Sequence, residues 1–344
     1  MNASYAVLGA GAWGTAFALH LARLPKTRVT LWARDEVLAR EMSTRRENTR
    51  YLPRVALPET LFITSDLKVA LQSADLMIAA TPIAALASLL KTVFPMVGHS
   101  PPPFFWLSKG FLMAEDQIFL PHQYVSRHWN APVGVVSGPS FAQEVASGLP
   151  TALVVASDDL SAAEQVASQI RSTTLRAYPS DDIVGVELGG AMKNVLAIAA
   201  GVCDGLNLGQ NARASLITRG LAEMTRLAEA MMGGNRSSAI TGLAGLGDLI
   251  LTCTGNLSRN RRVGLMLAEG MSLPDILSHL GHVAEGVTAA TAAVTLAKRH
   301  NIDLPITGAV AAIIKGELSP KSAAEILLTR APKQESGIRG FGKK

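Results

Sequence analysis

Over its first half the chain alternates short apolar runs with helix-forming stretches, and no other feature limits the fold as strongly. Residues 5–8, 28–33, 75–80, 104–107, 134–136 and 152–156 read as strands. Residues 15–24, which stop before Pro25, a charged stretch from about Asp35 to Glu47, and residues 83–93 read as helices. Strands joined by helical crossovers pair in parallel, and a parallel sheet needs both of its faces covered, so an α/β, Rossmann-like doubly wound domain is predicted. Beyond Tyr178 the alternation ends. Long Ala-, Leu- and Met-rich helical patterns separated by Gly-rich turns then predict an all-α domain. The expected division is a dinucleotide-binding domain over 1–180, a helical substrate and catalytic domain over 181–334, and a flexible tail over 335–344, where "SGIRGFGKK" lacks apolar periodicity.

The first apolar run stops at "VLGAGAWGTA", residues 7–16. Gly9, Gly11 and Gly14 fit G-x-G-x-x-G, with the first permitting the turn, the second the approach of a pyrophosphate and the third tight packing of helix on sheet. The bland alternative is a tight turn and nothing more. The position between a strand and a helix favours dinucleotide binding, because the helix start offers amide donors and a positive dipole end to phosphates. About twenty residues further on, where an acid would read the ribose hydroxyls, the strand ends "LWARD". Arg34 there favours the 2′-phosphate of NADP, Asp35 one residue later could still serve NAD, and an ordinary surface role for Arg34 competes with both.

Composition removes several other classes. With 48% hydrophobic and 17% charged residues in 344, the chain can bury large cores and is not extended and disordered. A formal net charge of +5, with basic residues scattered except at Arg259, Arg261 and Arg262, argues against a nucleic-acid surface while leaving small anionic ligands open. Cys203 and Cys253 form no CxxC and suggest a reducing cytoplasm. The apolar stretch from Tyr5 to Ala22 has no basic residue ahead of it and is broken by glycines, so no signal peptide is expected, and no apolar run reads as long enough to span a bilayer.

Chemistry is expected where single charges sit in apolar surroundings. Lys193, in "VELGGAMKNVLAIAAG", is the one cation between Arg176 and Arg213. It either snorkels to the surface or faces a site where loss of water disfavours its charge; Asn194, the paired Gly189 and Gly190, and the nearby domain junction favour a site. Asp248, in "GLAGLGDLILTC", either caps the following helix or meets Lys193. Ser258 reads as the N-cap of a helix ending near Gly270, which puts Arg259 and Asn260 in a first turn that attracts anions. Arg259 is the candidate phosphate ligand, because a guanidinium fork binds phosphate oxygens in pairs; Arg261 and Arg262 read as a solvated basic turn. In the first domain, Lys109 in "WLSKG" and Gly138, Ser140 and Ala142 in "SGPSFA" follow strands, where an open parallel sheet binds its ligands, although each could be only a turn. His279 and His282 stand at helical spacing without a third ligand, so no metal is expected.

Taken in order, "GAGAWGTA", "LSKG", "SGPSFA", "MKNVLAIAAGVCDGL", "NARASLITRGL", "GLAGLGDLILTCTGNLSRNRRVG" and "VAEGV" resemble bacterial NAD(P)-dependent glycerol-3-phosphate dehydrogenases over most of the chain. The resemblance implies a Rossmann-like domain followed by a helical domain similar to that of 6-phosphogluconate dehydrogenase. It also implies reversible reduction of dihydroxyacetone phosphate to sn-glycerol 3-phosphate for glycerophospholipid supply; Arg34, by its charge at the acid position, favours NADPH over NADH. By that similarity Lys193 is the acid/base and Asp248 supports it, while Lys109, Gly138, Ser140, Ser258, Arg259 and Asn260 contact substrate. Gly9, Gly11, Ala12, Trp13, Gly14, Arg34, Lys109, Ala142, Arg259, Val283 and Glu285 are matched to the cofactor. Ala12 stands where serine is often found, which leaves a backbone contact there. The same resemblance is compatible with a homodimer. Two other readings stay open: a related hydroxy-acid dehydrogenase built around a catalytic lysine, and a non-catalytic NADPH-binding redox sensor.

Overall fold

A computed structural model describes residues 3–98, 100–280 and 284–331; Val283, His282 and the tail 335–344 lie outside them. The chain divides into two compact units, residues 1–187 and 188–344.

In the first unit eight strands form one sheet in the order Leu175–Ser180, Thr151–Ala156, Val133–Ser137, Phe104–Trp106, Leu76–Ala79, Ala3–Leu8, Thr27–Trp32, Leu61–Thr64. The six from Val133–Ser137 to Leu61–Thr64 pair in parallel. Numbered along the chain, those six stand in the order 3-2-1-4-5-6 of a doubly wound dinucleotide fold, with the strand order reversing between Ala3–Leu8 and Leu76–Ala79. Thr151–Ala156 runs antiparallel to Val133–Ser137 and parallel to Leu175–Ser180. The two outermost strands escape the reading of periodicity for one reason: edge strands carry exposed and polar positions, such as Phe62 at one edge and Pro179 at the other. Val7, Phe17, Leu31, Ile78 and Phe105 are buried in the core between sheet and helices.

The first helix, Ala12–Ala22, starts three residues earlier than its apolar pattern, with Gly11 as N-cap. Glu36–Arg45 is capped by Asp35, whose side chain accepts from the amides of Val37 and Leu38. Ile83–Val97 runs through Pro95 and ends at Gly98, whose φ of 70° stops it. Two short ribbons are added, Glu47–Asn48 with Leu52–Ala56 and Leu112–Ala114 with Gln117–Phe119.

The second unit is helical among the described residues. Its principal helices are Gln210–Met231, Asp248–Thr254, Arg259–Ala268, Leu273–Leu280, Glu285–Arg299, Pro305–Ile314 and Pro320–Leu328. Ahead of them runs Ile183–Gly205, whose residues 188–205 belong to this unit. This helix corrects the expectation that no apolar run could span a bilayer: its 23 residues are long and apolar enough. Its apolar window is 94% buried, however, so its hydrophobicity is used in protein packing. Buried Glu223 on Gln210–Met231 accepts from the amides of Ile306 and Thr307, at 2.6 and 3.1 Å, at the start of Pro305–Ile314. A carboxylate from one helix thereby supplies the N-terminal partners of another.

Candidate active site

In the first unit the glycine turn leaves the end of Ala3–Leu8, where the strand order reverses. Gly9 has φ +129°, and a Cβ there would lie 2.7 Å from the Ala80 carbonyl oxygen; a Cβ on Gly14 would lie 2.0 Å from the Gly9 oxygen. Both positions exclude a side chain. Gly11 is different, because a Cβ there would meet nothing within 4 Å, and no side chain caps the helix that follows. Bare amides at a helix N-terminus thus face open space at the reversal point, a cradle that fits a pyrophosphate. Trp13 packs edge-on against Phe17 at 5.6 Å, and its buried indole Nε1 has no hydrogen-bond partner among the described residues.

Arg34 follows the strand Thr27–Trp32 and is exposed. Asp35 is committed elsewhere: one carboxylate oxygen caps Glu36–Arg45 and the other stands 3.4 Å from Arg50. At the ends of the neighbouring strands Phe104–Trp106 and Val133–Ser137, the structure brings together Lys109, Gly138 and Ser140. Lys109 Nζ and Ser140 Oγ both donate to the Gly138 carbonyl, at 2.9 Å each. The positive φ of Gly138 turns that carbonyl toward them. Ala142 opens the short helix Ala142–Ala146 and is half-buried.

In the second unit Lys193 does not snorkel. It is 8% exposed, and its ammonium donates to Asp248 Oδ1 at 2.6 Å and to Thr252 Oγ1 at 3.1 Å. Asp248, 1% exposed, is the first residue of Asp248–Thr254 and not its cap, which is Gly247. A π-helical turn, Leu243–Gly247, leads into it, with Gly247 N donating to the Gly242 carbonyl at 3.0 Å. Such irregular turns often aim functional side chains. Thr252 went unnoticed in the sequence, although its signal was there: it stands four residues after Asp248 on one helix, hence on the same face. Its hydroxyl donates to the Asp248 carbonyl at 2.6 Å, which turns its oxygen lone pair to the lysine.

Ser258 caps Arg259–Ala268 by accepting from Arg261 N at 3.2 Å. Arg259 is exposed in the first turn, with the helix amides behind it. Asn260 is buried, and its amide is engaged at both ends: Nδ2 donates to Asn194 Oδ1 at 2.9 Å, and Oδ1 accepts from Gly286 N at 3.1 Å. Arg261 corrects the expectation of a solvated basic turn. Its guanidinium lies 2.7 Å from Asp204, which also holds Arg213 at 3.1 Å. The reason is periodicity: Arg261 falls on the helix face toward Ile183–Gly205, whereas Arg262 points to solvent. Glu285 begins Glu285–Arg299 and is half-buried.

Neither cysteine adds nucleophilic chemistry. Burial pushes the Cys253 thiol up to about 12, and burial also raises Cys203. No group of three metal-ligating side chains occurs among the described residues.

The family described as NAD-dependent glycerol-3-phosphate dehydrogenase matches the chain twice, its N-terminus over residues 4–163 and its C-terminus over residues 182–325. A glycerol-3-phosphate dehydrogenase [NAD(P)+] of Dechloromonas aromatica is 50% identical over 331 residues, covering 96% of this chain and 98% of that protein. One from Paucimonas lemoignei is 51% identical over 336 residues with the same coverage. The crystal structure of a glycerol-3-phosphate dehydrogenase from Coxiella burnetii superposes with a TM-score of 0.89 at 41% identity, covering 96% of this chain and 99% of that one.

Proposed function

The chain belongs to the NAD-dependent glycerol-3-phosphate dehydrogenase family, and from that premise we propose that it interconverts dihydroxyacetone phosphate and sn-glycerol 3-phosphate with NAD(P)H, using Lys193 as acid and base. The observation that carries this reading is the buried contact of Lys193 with Asp248 and Thr252. A lone ammonium in so apolar a helix would be costly; the carboxylate keeps it charged and aims it.

When bound, the reduced nicotinamide would supply a hydride, a proton carrying two electrons, to the ketone carbon. As the carbonyl oxygen gains negative charge, Lys193 Nζ stabilises it and passes it a proton, leaving a neutral amine that solvent reprotonates. In the other direction the neutral amine takes the alcohol proton. Asp248 and Thr252 hold Nζ in place through both states. The substrate phosphate does no chemistry; Arg259 and the amides at the start of Arg259–Ala268 grip it, so that remote binding energy orients the carbonyl.

In this reading the first unit holds the dinucleotide at Gly9, Gly11, Ala12, Trp13, Gly14, Arg34 and Ala142, with Lys109, Gly138 and Ser140 serving the substrate. The second unit supplies the acid/base and the phosphate grip, with Arg259, Val283 and Glu285 also serving the cofactor. The buried, unpaired Cys203 and Cys253 support a cytoplasmic setting, where the product would feed glycerophospholipid synthesis. The decisive experiment mixes the purified protein with dihydroxyacetone phosphate and NADPH or NADH and follows the absorbance of the reduced nicotinamide. Absence of turnover with both cofactors rejects the proposal, and equal turnover of phosphate-free ketones points to another substrate.

A further inference from the structure

The segment after Glu36–Arg45 is rich in arginine, with Arg45, Arg46, Arg50 and Arg54 within ten positions. Arg46 is occupied, donating to the Leu61 carbonyl at 2.8 Å. Arg50 sits in the turn between Glu47–Asn48 and Leu52–Ala56, and that turn is tied to the glycine-rich loop by a buried side chain. Asn48, fully buried, donates from Nδ2 to the Ala10 carbonyl at 2.9 Å and to Thr15 Oγ1 at 2.8 Å; its Oδ1 accepts from Tyr51 N at 3.1 Å. One amide therefore links the turn holding Arg50 to both the pyrophosphate loop and the first helix. The Arg50 guanidinium lies 3.4 Å from Asp35 Oδ2 and 5.1 Å from the Tyr51 ring centroid, with its side chain 58% exposed.

We propose that Arg50 is a specificity-determining residue which, with Arg34, binds the 2′-phosphate of NADPH; this rests on the dehydrogenase reading above. Asp35 stands next to Arg34, at the end of the strand where a dinucleotide fold reads the ribose. Both of its oxygens are engaged, one by helix-capping amides and one by Arg50, so it is poorly placed to accept from a 2′-hydroxyl. Its charge would also repel a 2′-phosphate, and Arg50 neutralises that charge. Two arginines against one carboxylate leave a net positive site. The exposed guanidinium can turn from Asp35 to the incoming dianion while Asn48 keeps its backbone in place.

The test is calorimetric binding of 2′,5′-ADP and 5′-AMP, which differ by the 2′-phosphate, to the wild type, Arg50→Ala and Arg50→Lys. Arg50→Ala should weaken 2′,5′-ADP on the order of tenfold, an exposed charge-assisted contact being screened by solvent, and move 5′-AMP little. Arg50→Lys should fall between, because it keeps the charge and loses the fork. The gap between the two probes should narrow as salt rises. The ratio of kcat/KM for NADPH over NADH should fall in parallel. Equal weakening of both probes, or weakening of neither, overturns the proposal. If the wild type turns over but binds both probes equally, only this inference fails; if it neither binds them nor turns over, the dehydrogenase reading falls with it.

Discussion

In the proposed mechanism two demands meet at Lys193, a charge that must be buried and a proton that must move. Lys193→Met keeps the apolar stem and removes the donor, so kcat should drop by roughly 10²- to 10⁴-fold while cofactor binding remains. The same change leaves Asp248, 1% exposed, without its cation, so stability should fall by about 3–5 kcal/mol. Adding Asp248→Asn should recover melting temperature but not turnover. A single variant with near-wild-type kcat would remove Lys193 from the chemistry. Arg259 makes a separate case, exposed in the first turn of its helix. Arg259→Ala should cost about one to two decades in kcat/KM for dihydroxyacetone phosphate, the worth of a hydrogen bond to a charged group. Much less should be lost on phosphate-free dihydroxyacetone, and equal losses on both substrates would mean a cofactor or folding defect. Lys193 stood out in the sequence as a charge out of keeping with its neighbours, and Arg259 as a guanidinium in the first turn after a serine N-cap. Thr252 and Asn48 did not, since a threonine or an asparagine gives no hint of its partner until the chain is folded.

At the scale of elements, the proposed acid/base lysine and the proposed phosphate grip belong to two helices held in backbone contact. Ile183–Gly205 and Arg259–Ala268 are joined by Asn260 to Asn194, by Arg261 to Asp204, and by Gly201 against Gly264. A Cβ on Gly264 would fall 2.0 Å from the Ile198 carbonyl oxygen, and one on Gly201 would fall 2.0 Å from that of Arg261. Neither backbone can yield without parting the helices. Gly264→Ala should therefore lower stability by about 1–3 kcal/mol or more, the cost of overpacking, and raise KM for dihydroxyacetone phosphate by moving Arg259 relative to Lys193. Calorimetry and steady-state kinetics on the same sample check both; an unchanged melting temperature would show that the helices separate freely. "AIAAGVCDG" and "NRRVG" make these glycines visible in the sequence as interruptions of helical patterns, but which backbone each one admits is a tertiary fact.

At the scale of the whole molecule, stability should depend on pH through a buried pair in the first unit. His122 donates its backbone amide to Glu187 Oε1 at 3.0 Å, and its ring meets the other carboxylate oxygen. Burial alone would lower the imidazole, but the Glu187 carboxylate outweighs it and holds His122 above its ordinary 6.5. A group raised in the folded state adds stability that is complete below pH 6.5 and is lost as pH rises through the folded value. Burial also raises the Glu187 carboxyl, so both members lose stability as pH rises, and removing His122 alone would leave that carboxyl unpaired. The melting temperature should accordingly decline on the alkaline side of 6.5, and the double change His122→Gln with Glu187→Gln should abolish that decline; a slope unchanged by the double substitution would assign it to other groups. Neither His122 nor Glu187 was legible beforehand, because 65 residues separate them. What the sequence by itself determined was local: strand, turn and helix follow from periodicity and glycine, so the parallel sheet, the dinucleotide turn and the helical second half could be read directly. The tertiary structure alone decided whether each lone charge is a solvated residue or half of a buried pair. Lys193 joined Asp248 and Arg261 joined Asp204 because helical faces distant in sequence are packed together, and burial makes an unpaired charge too costly to keep.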